Sequence, residues 1–272
     1  MLKLATAPVT WGVWERTVGR DDLVPAEQLL ETFAALGYAA TELGPPGYFS
    51  PELLERHGFA LVGGFAPLSF WDEQLFRADV PVWLDPIVEI LAATGAHGPV
   101  VLAGAELETH EPPDAAFFAR VNEAAARCRD AGVPVVFHHH AATHVESPAE
   151  IEMLLEQTDV GICFDTGHAL VGGGDPLAVL RLCGDRVEHL HLKDVDPALL
   201  ARVRAGELAL ADAWADGIFC PFGEGAVDFP AVLAQLNGYA GWTVLEQDRV
   251  AVTVADLPDV AAVERRNLEA VA

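Results

Sequence analysis

Eight short apolar runs, each of strand length and separated by longer stretches with helical periodicity, constrain this chain more than any other feature. The runs are Leu4–Ala7, Ala39–Glu42, Ala60–Phe65, Pro99–Leu102, Val135–His138, Gly161–Asp165, Val187–Leu192 and Trp242–Leu245. Helices are expected over Pro25–Leu36, Val82–Ala93, Asp114–Ala131, Pro148–Gln157, Pro176–Cys183 and Phe229–Leu236, with a last one over Asp256–Glu269. One start is marked plainly: Ser147-Pro148-Ala149-Glu150 puts a hydroxyl at the cap, proline at the first helical position and a carboxylate three residues on. Strands alternating with helices are the signature of parallel βαβ units, so the pattern predicts an α/β fold, a (β/α)8 TIM barrel, with residues 1–272 as one domain. Two connections are long, Ala66–Pro81 and Asp194–Val227, and loops after barrel strands are where specificity resides.

Composition removes several function classes. A formal net charge of -25 argues against nucleic acid as a partner, because phosphate binding draws on clustered Lys and Arg. The acidic residues are scattered along the helices, as solubility requires, and form no tail. No run of about 18 apolar residues is present, so no membrane span is expected. Cys128, Cys163, Cys183 and Cys220 are widely spaced with no Cys-x-x-Cys pair, which predicts reduced structural thiols in a cytoplasmic protein.

The chemistry gathers where the apolar runs end. Glu42, the His138–His140 triplet, Asp165, His191 and Glu246 all stand at such ends, which in a barrel converge on one face. A carboxylate closing Ile162-Cys163-Phe164-Asp165 or Val244-Leu245-Glu246 would be a costly buried charge unless paired or bound to a metal. Imidazole with carboxylate suits Mn, Co, Fe, Zn or Mg, and the mixed hardness favours the transition metals. Asp165, His191 and Glu246 are therefore expected to hold a divalent ion. Alternation puts His138 and His140 on one side, so one of them is a candidate fourth ligand, with Glu146 as the rival; helix-dipole complementation is the other reading of Glu146. His168, just past Asp165, and Lys193, on the same side as His191, are candidates to touch substrate, whereas Asp194 faces away. His189 lies one layer deeper than His191 and is expected to pack; His57, His97 and His110 read as surface or loop residues.

Phe164-Asp165-Thr166-Gly167-His168, His189-Leu190-His191-Leu192-Lys193-Asp194-Val195 and Val244-Leu245-Glu246 resemble the xylose-isomerase-like sugar isomerase/epimerase superfamily over nearly the whole chain. Within it, His138-His139-His140, Gly217-Ile218-Phe219, Gly223-Glu224-Gly225, Val227-Asp228-Phe229, Gly238-Tyr239 and Gly241-Trp242 are similar to the inosose dehydratases. The resemblance implies a Mn or Co type ion on Asp165, His191 and Glu246, with the fourth ligand drawn from His138 through Glu146. The superfamily usually places a Glu near the end of strand five, where this chain has His138. The dehydratases also carry an Asn/Asp-rich stretch after an early Trp, where this chain reads Trp11-Gly12-Val13-Trp14-Glu15.

The chemistry so implied starts from an α-hydroxyketone whose polarised carbonyl acidifies the adjacent C–H, giving an enediolate. Loss of a β-hydroxyl then makes the reaction a dehydration; return of the proton makes it an epimerisation or isomerisation of a ketose. Glu246 and His140 are the acid/base candidates, His168 and Lys193 would steady negative charge, and Trp11, Glu42 and His139 would contact a small polyol or ketose substrate. The long loops would suit a homodimer. Two other classes remain open to the sequence: a metal-dependent apurinic endonuclease, which would need a basic DNA face, and a non-catalytic sugar- or metal-binding barrel.

Overall fold

The computed structural model describes residues 2–95, 98–107 and 109–271, so the expectation for His97 lies outside the described residues. The chain separates into two compact units, Met1–Ala60 with His191–Ala272, and Leu61–Leu190.

In the unit Leu61–Leu190 the strands Gly64–Leu68, Val100–Gly104, Val135–His138 and Gly161–Asp165 form a parallel ladder in chain order, with Gly64 opposite Val100, Val100 opposite Val135 and Val136 opposite Gly161. Helices Asp85–Thr94, Ala115–Asp130 and Pro148–Gln157 provide the connections. Asp114 caps the second by accepting the Phe117 N–H, and Ser147 with Glu150 closes the capping box expected for the third. Pro67 is tolerated because its strand ends this four-strand ladder, where a missing N–H costs no internal bond.

The other unit pairs Lys3–Thr6 in parallel with Trp242–Leu245 on one side and with Ala40–Thr41 on the other. A short antiparallel ladder joins Asp194–Val195 to Phe219–Cys220. The last helix, Leu257–Val271, is tied in by buried polar groups: Tyr38 donates to Glu264 Oε1 (2.5 Å), Asn267 Nδ2 donates to Glu264 Oε2 (3.0 Å), and the Phe222 N–H donates to Asn267 Oδ1 (3.0 Å).

Several expectations need correction. The third run is two strands, Ala60–Leu61 and Gly64–Leu68, because the Val62–Gly63 backbone runs so close to Gly98 that a Cβ there would lie 1.9 Å from the Val62 carbonyl. The connection after it is structured: the strand continues to Leu68, Asp72 caps a helix over Glu73–Asp79, and a wide π-type turn follows over Val80–Leu84, where Pro81 supplies no N–H. The second long connection carries helices Pro197–Arg204 and Leu210–Ala215. Helices Pro51–His57 and Thr166–Val171 were also missed, although Ser50-Pro51 and Asp165 are ordinary cap signals. The four cysteines are buried free thiols, and burial pushes Cys128, Cys183 and Cys220 up to about 12. Among the described residues no helix is long and apolar enough to cross a membrane.

Candidate functional site

Each unit carries a group of polar side chains at its strand ends. In Leu61–Leu190 the group is rich in imidazole. Asp165 is fully buried; its Oδ1 accepts the His168 N–H (2.8 Å), which caps helix Thr166–Val171, and its Oδ2 stands 3.4 Å from His138 Nε2. Donor atoms of His138, Asp165 and His168 lie within 4.8 Å of one another. Strand alternation sends His138 and His140 to one side, where both rings meet Phe65, at 6.1 and 6.3 Å between centroids. His140 also meets His168, at 3.8 Å between centroids with the rings tilted by 34°.

Main-chain bonds set these rings. His168 Nδ1 accepts the Ala141 N–H (3.2 Å), so in the neutral ring the proton sits on Nε2. His139 Nε2 accepts the Asp165 N–H (3.2 Å), which makes His139 a fixture that positions Asp165. His140 Nδ1 faces the Ala141 carbonyl at 2.8 Å. Glu146, the rival ligand, is turned elsewhere: it accepts the Ala142 N–H (2.7 Å), at a residue with φ of 63°, and lies 3.4 Å from His110 Nδ1. Burial raises the Glu146 carboxyl above its usual range, against the Ala142 bond and the His110 charge. Nor is His110 a plain surface residue, since it bridges the Thr143 carbonyl (3.0 Å) and Glu150 (2.7 Å).

In the other unit the group is rich in carboxylate. His191 sits between two acids, with Nε2 at 3.0 Å from Glu42 Oε1 and Nδ1 at 3.0 Å from Glu246 Oε2. Lys193, only 2% exposed, contacts Glu246, lies 3.3 Å from Asp248 and holds its ammonium 5.7 Å over the Phe219 ring. Burial pushes the Glu246 carboxyl up, but the His191 and Lys193 charges outweigh it and leave the carboxyl below its usual range. Asp194 is spent on the backbone, accepting N–H groups from Val195 (2.9 Å), Gly223 (2.8 Å), Gly225 (3.0 Å) and Val227 (3.0 Å). That nest explains the Gly-Glu-Gly segment, because a Cβ at Gly225 would lie 2.2 Å from Asp194 Oδ1. Trp11 is fully buried, donates to Thr6 Oγ1 (3.3 Å) and packs on Phe33, so it is part of the core. His57 pairs with Glu27 at 3.4 Å, and His189 is buried.

Within each unit one pair of donors has a spacing compatible with two ligands on a divalent ion. Two donors each about 2.1 Å from one ion stand roughly 3.0–3.4 Å apart. The His138–Asp165 and His191–Glu246 separations, 3.4 and 3.0 Å, are of that size. Asp248 and Phe65 escaped the sequence reading. Asp248 could have been found from its position two residues beyond Glu246; Phe65 carries no signal of its own in an apolar run.

The sequence profile described as xylose isomerase-like TIM barrel matches residues 30–270, running across both units. The rhizopine catabolism protein MocC of Rhizobium meliloti is 33% identical over 276 residues, covering 91% of this chain and 82% of that protein. An inosose dehydratase of Geobacillus kaustophilus is 31% identical over 273 residues, with 91% and 87% covered. Among solved structures, a probable 3-DHS dehydratase from Bacillus anthracis aligns with a TM-score of 0.70 at 13% identity, covering 98% of this chain and 99% of that one. A D-allulose 3-epimerase from Methylomonas sp. aligns with a TM-score of 0.67 at 17% identity, covering 100% and 94%.

Proposed function

The chain belongs to the xylose isomerase-like TIM barrel family, with that family's (β/α)8 fold, and from this premise we propose that it is a divalent-metal-dependent dehydratase of a cyclic polyhydroxylated ketone of the inosose type. The observation that carries the reading is similarity at 31–33% identity over 91% of the chain to an inosose dehydratase and to MocC. We assign the ion to His138, Asp165, His191 and Glu246, as the resemblance to the family implies, and set Glu146 aside because its carboxylate is turned to Ala142 and His110. Mn or Co is the expected metal, since the donors mix imidazole with carboxylate.

When bound, the ion would polarise a substrate carbonyl and acidify the neighbouring C–H. The protein's own groups do the rest. His140 is the candidate to take the proton, its ring braced on His168 and set by the Ala141 carbonyl. His168, with its Nε2 proton fixed by the Ala141 bond, is the candidate donor to a departing β-hydroxyl. Lys193 offers a buried ammonium to negative charge developing on the substrate oxygen, and Asp248 and Glu246 hold it there. His139 acts at one remove by fixing the Asp165 backbone.

Incubation of the Mn and Co forms with 2-keto-myo-inositol in deuterated water tests the assignment. Appearance of the dione absorbance is the expected result. Deuterium incorporation without elimination would move the enzyme to the epimerases, and no exchange with any inosose or ketose would overturn the catalytic reading.

A further inference from the structure

We propose that Glu42 is the positioning residue that decides which nitrogen of His191 is offered to the metal: it takes the Nε2 proton and leaves Nδ1 as the ligand atom. The inference deepens the reading above and rests on His191 and Glu246 being metal ligands.

A carboxylate can only accept, so the 3.0 Å contact between Glu42 Oε1 and His191 Nε2 requires the proton on Nε2. Glu246 Oε2, equally acceptor-only, faces Nδ1 at 3.0 Å, so a proton or the ion must stand between them; because Glu246 is the carboxylate assigned to the ion, Nδ1 is the nitrogen that exchanges its proton for the metal while Nε2 keeps its own. The two carboxylates therefore have different tasks although they flank one imidazole symmetrically. Glu246 shares the metal-facing side, and Glu42 grips the ring from behind. Glu42 is built for that grip: it is 3% exposed, its N–H donates to the Thr6 carbonyl (3.0 Å), and Thr41 Oγ1 donates to the Glu42 carbonyl (2.9 Å), so its backbone is held on both sides of the Cα. A carboxylate behind a ligating histidine fixes its tautomer and makes the other nitrogen a better donor, and loss of such a partner weakens metal binding by about 10- to 100-fold. A residue that held substrate hydroxyls instead would change KM and leave metal affinity alone.

The test compares wild type with Glu42→Ala, Glu42→Gln and His191→Ala, measuring Zn²⁺ affinity by chelator competition, the His191 ¹⁵N spectrum of the Zn²⁺-loaded protein and the thermal midpoint. Glu42→Ala is expected to bind Zn²⁺ about 10- to 100-fold more weakly. Glu42→Gln, whose amide oxygen still accepts the Nε2 proton, should recover most of that loss. In wild type the spectrum should show a protonated Nε2 and a metal-bearing Nδ1. Unchanged affinity in a folded Glu42→Ala overturns the inference. So does a wild-type spectrum with the proton on Nδ1, which needs no variant and therefore decides the matter even if Glu42→Ala does not fold. Wild-type Zn²⁺ affinity in His191→Ala would overturn the metal assignment itself, a separate failure.

Discussion

The two strand-end groups differ in how their side chains are held. In Leu61–Leu190 the rings of His139, His140 and His168 each meet a main-chain atom, so the backbone sets their orientations and, for His139 and His168, their tautomers. In the other unit, Glu42, His191, Lys193, Glu246 and Asp248 hold one another through charge. The first arrangement couples chemistry to fold, since moving a ring moves a loop. The second lets a charge be removed with the backbone left in place. Substitutions in the carboxylate-rich group should therefore separate activity from stability better than those among the imidazoles.

The sharpest separation is expected at Lys193. Replacing it by Met should lower kcat by about 10²- to 10³-fold, the scale for losing one preorganised donor to developing charge. Metal content, read by atomic absorption, should stay near wild type; equal turnover would remove Lys193 from the mechanism.

Asp194 is the exception that sharpens the contrast, a carboxylate next to Lys193 that accepts four backbone N–H groups. Asp194→Ala should cost about 3 kcal/mol in urea unfolding, the scale for stranding buried donors that had bonded a charged acceptor. A loss below about 1 kcal/mol would mean that the Gly223–Val227 segment finds other partners.

The smallest effect concerns His110. Burial lowers its pKa, but the Glu150 hydrogen bond and the Glu146 and Glu150 charges outweigh that and leave it raised. A raised folded-state value gives stability that is full below the ordinary histidine pKa and fades as pH rises through the raised one. His110→Gln should thus be less stable than wild type at pH 5.5 and approach it at pH 8.5. The side chain is 37% exposed, so the difference should stay under about 1 kcal/mol after screening. A gap that widens with pH would contradict the ion-pair reading.

Much of the fold was legible because strand runs and helix caps are local signals. Val135–His138, Gly161–Asp165 and Pro148–Gln157 fall where hydrophobicity and the capping box put them. What escaped was set by distant contacts: the break at Val62–Gly63 follows from the approach of Gly98, and the ladder between Asp194–Val195 and Phe219–Cys220 closes a long connection. The site divides the same way. Residue type and strand-end position singled out Asp165, His191 and Glu246. Neither could say that Trp11 would be turned into the core, that Glu146 would bind Ala142, or that His139 would be spent on the Asp165 N–H.

Asp165 lies where fold and chemistry meet, since one oxygen caps a helix and the other faces His138. The most direct test of the account is metal analysis of purified wild type beside Asp165→Ala, each reconstituted with Mn and with Co. The account predicts about one ion per chain in wild type and loss of that ion in the variant. Wild-type protein that retains no metal after reconstitution, or a variant that keeps it fully, would contradict the central claim.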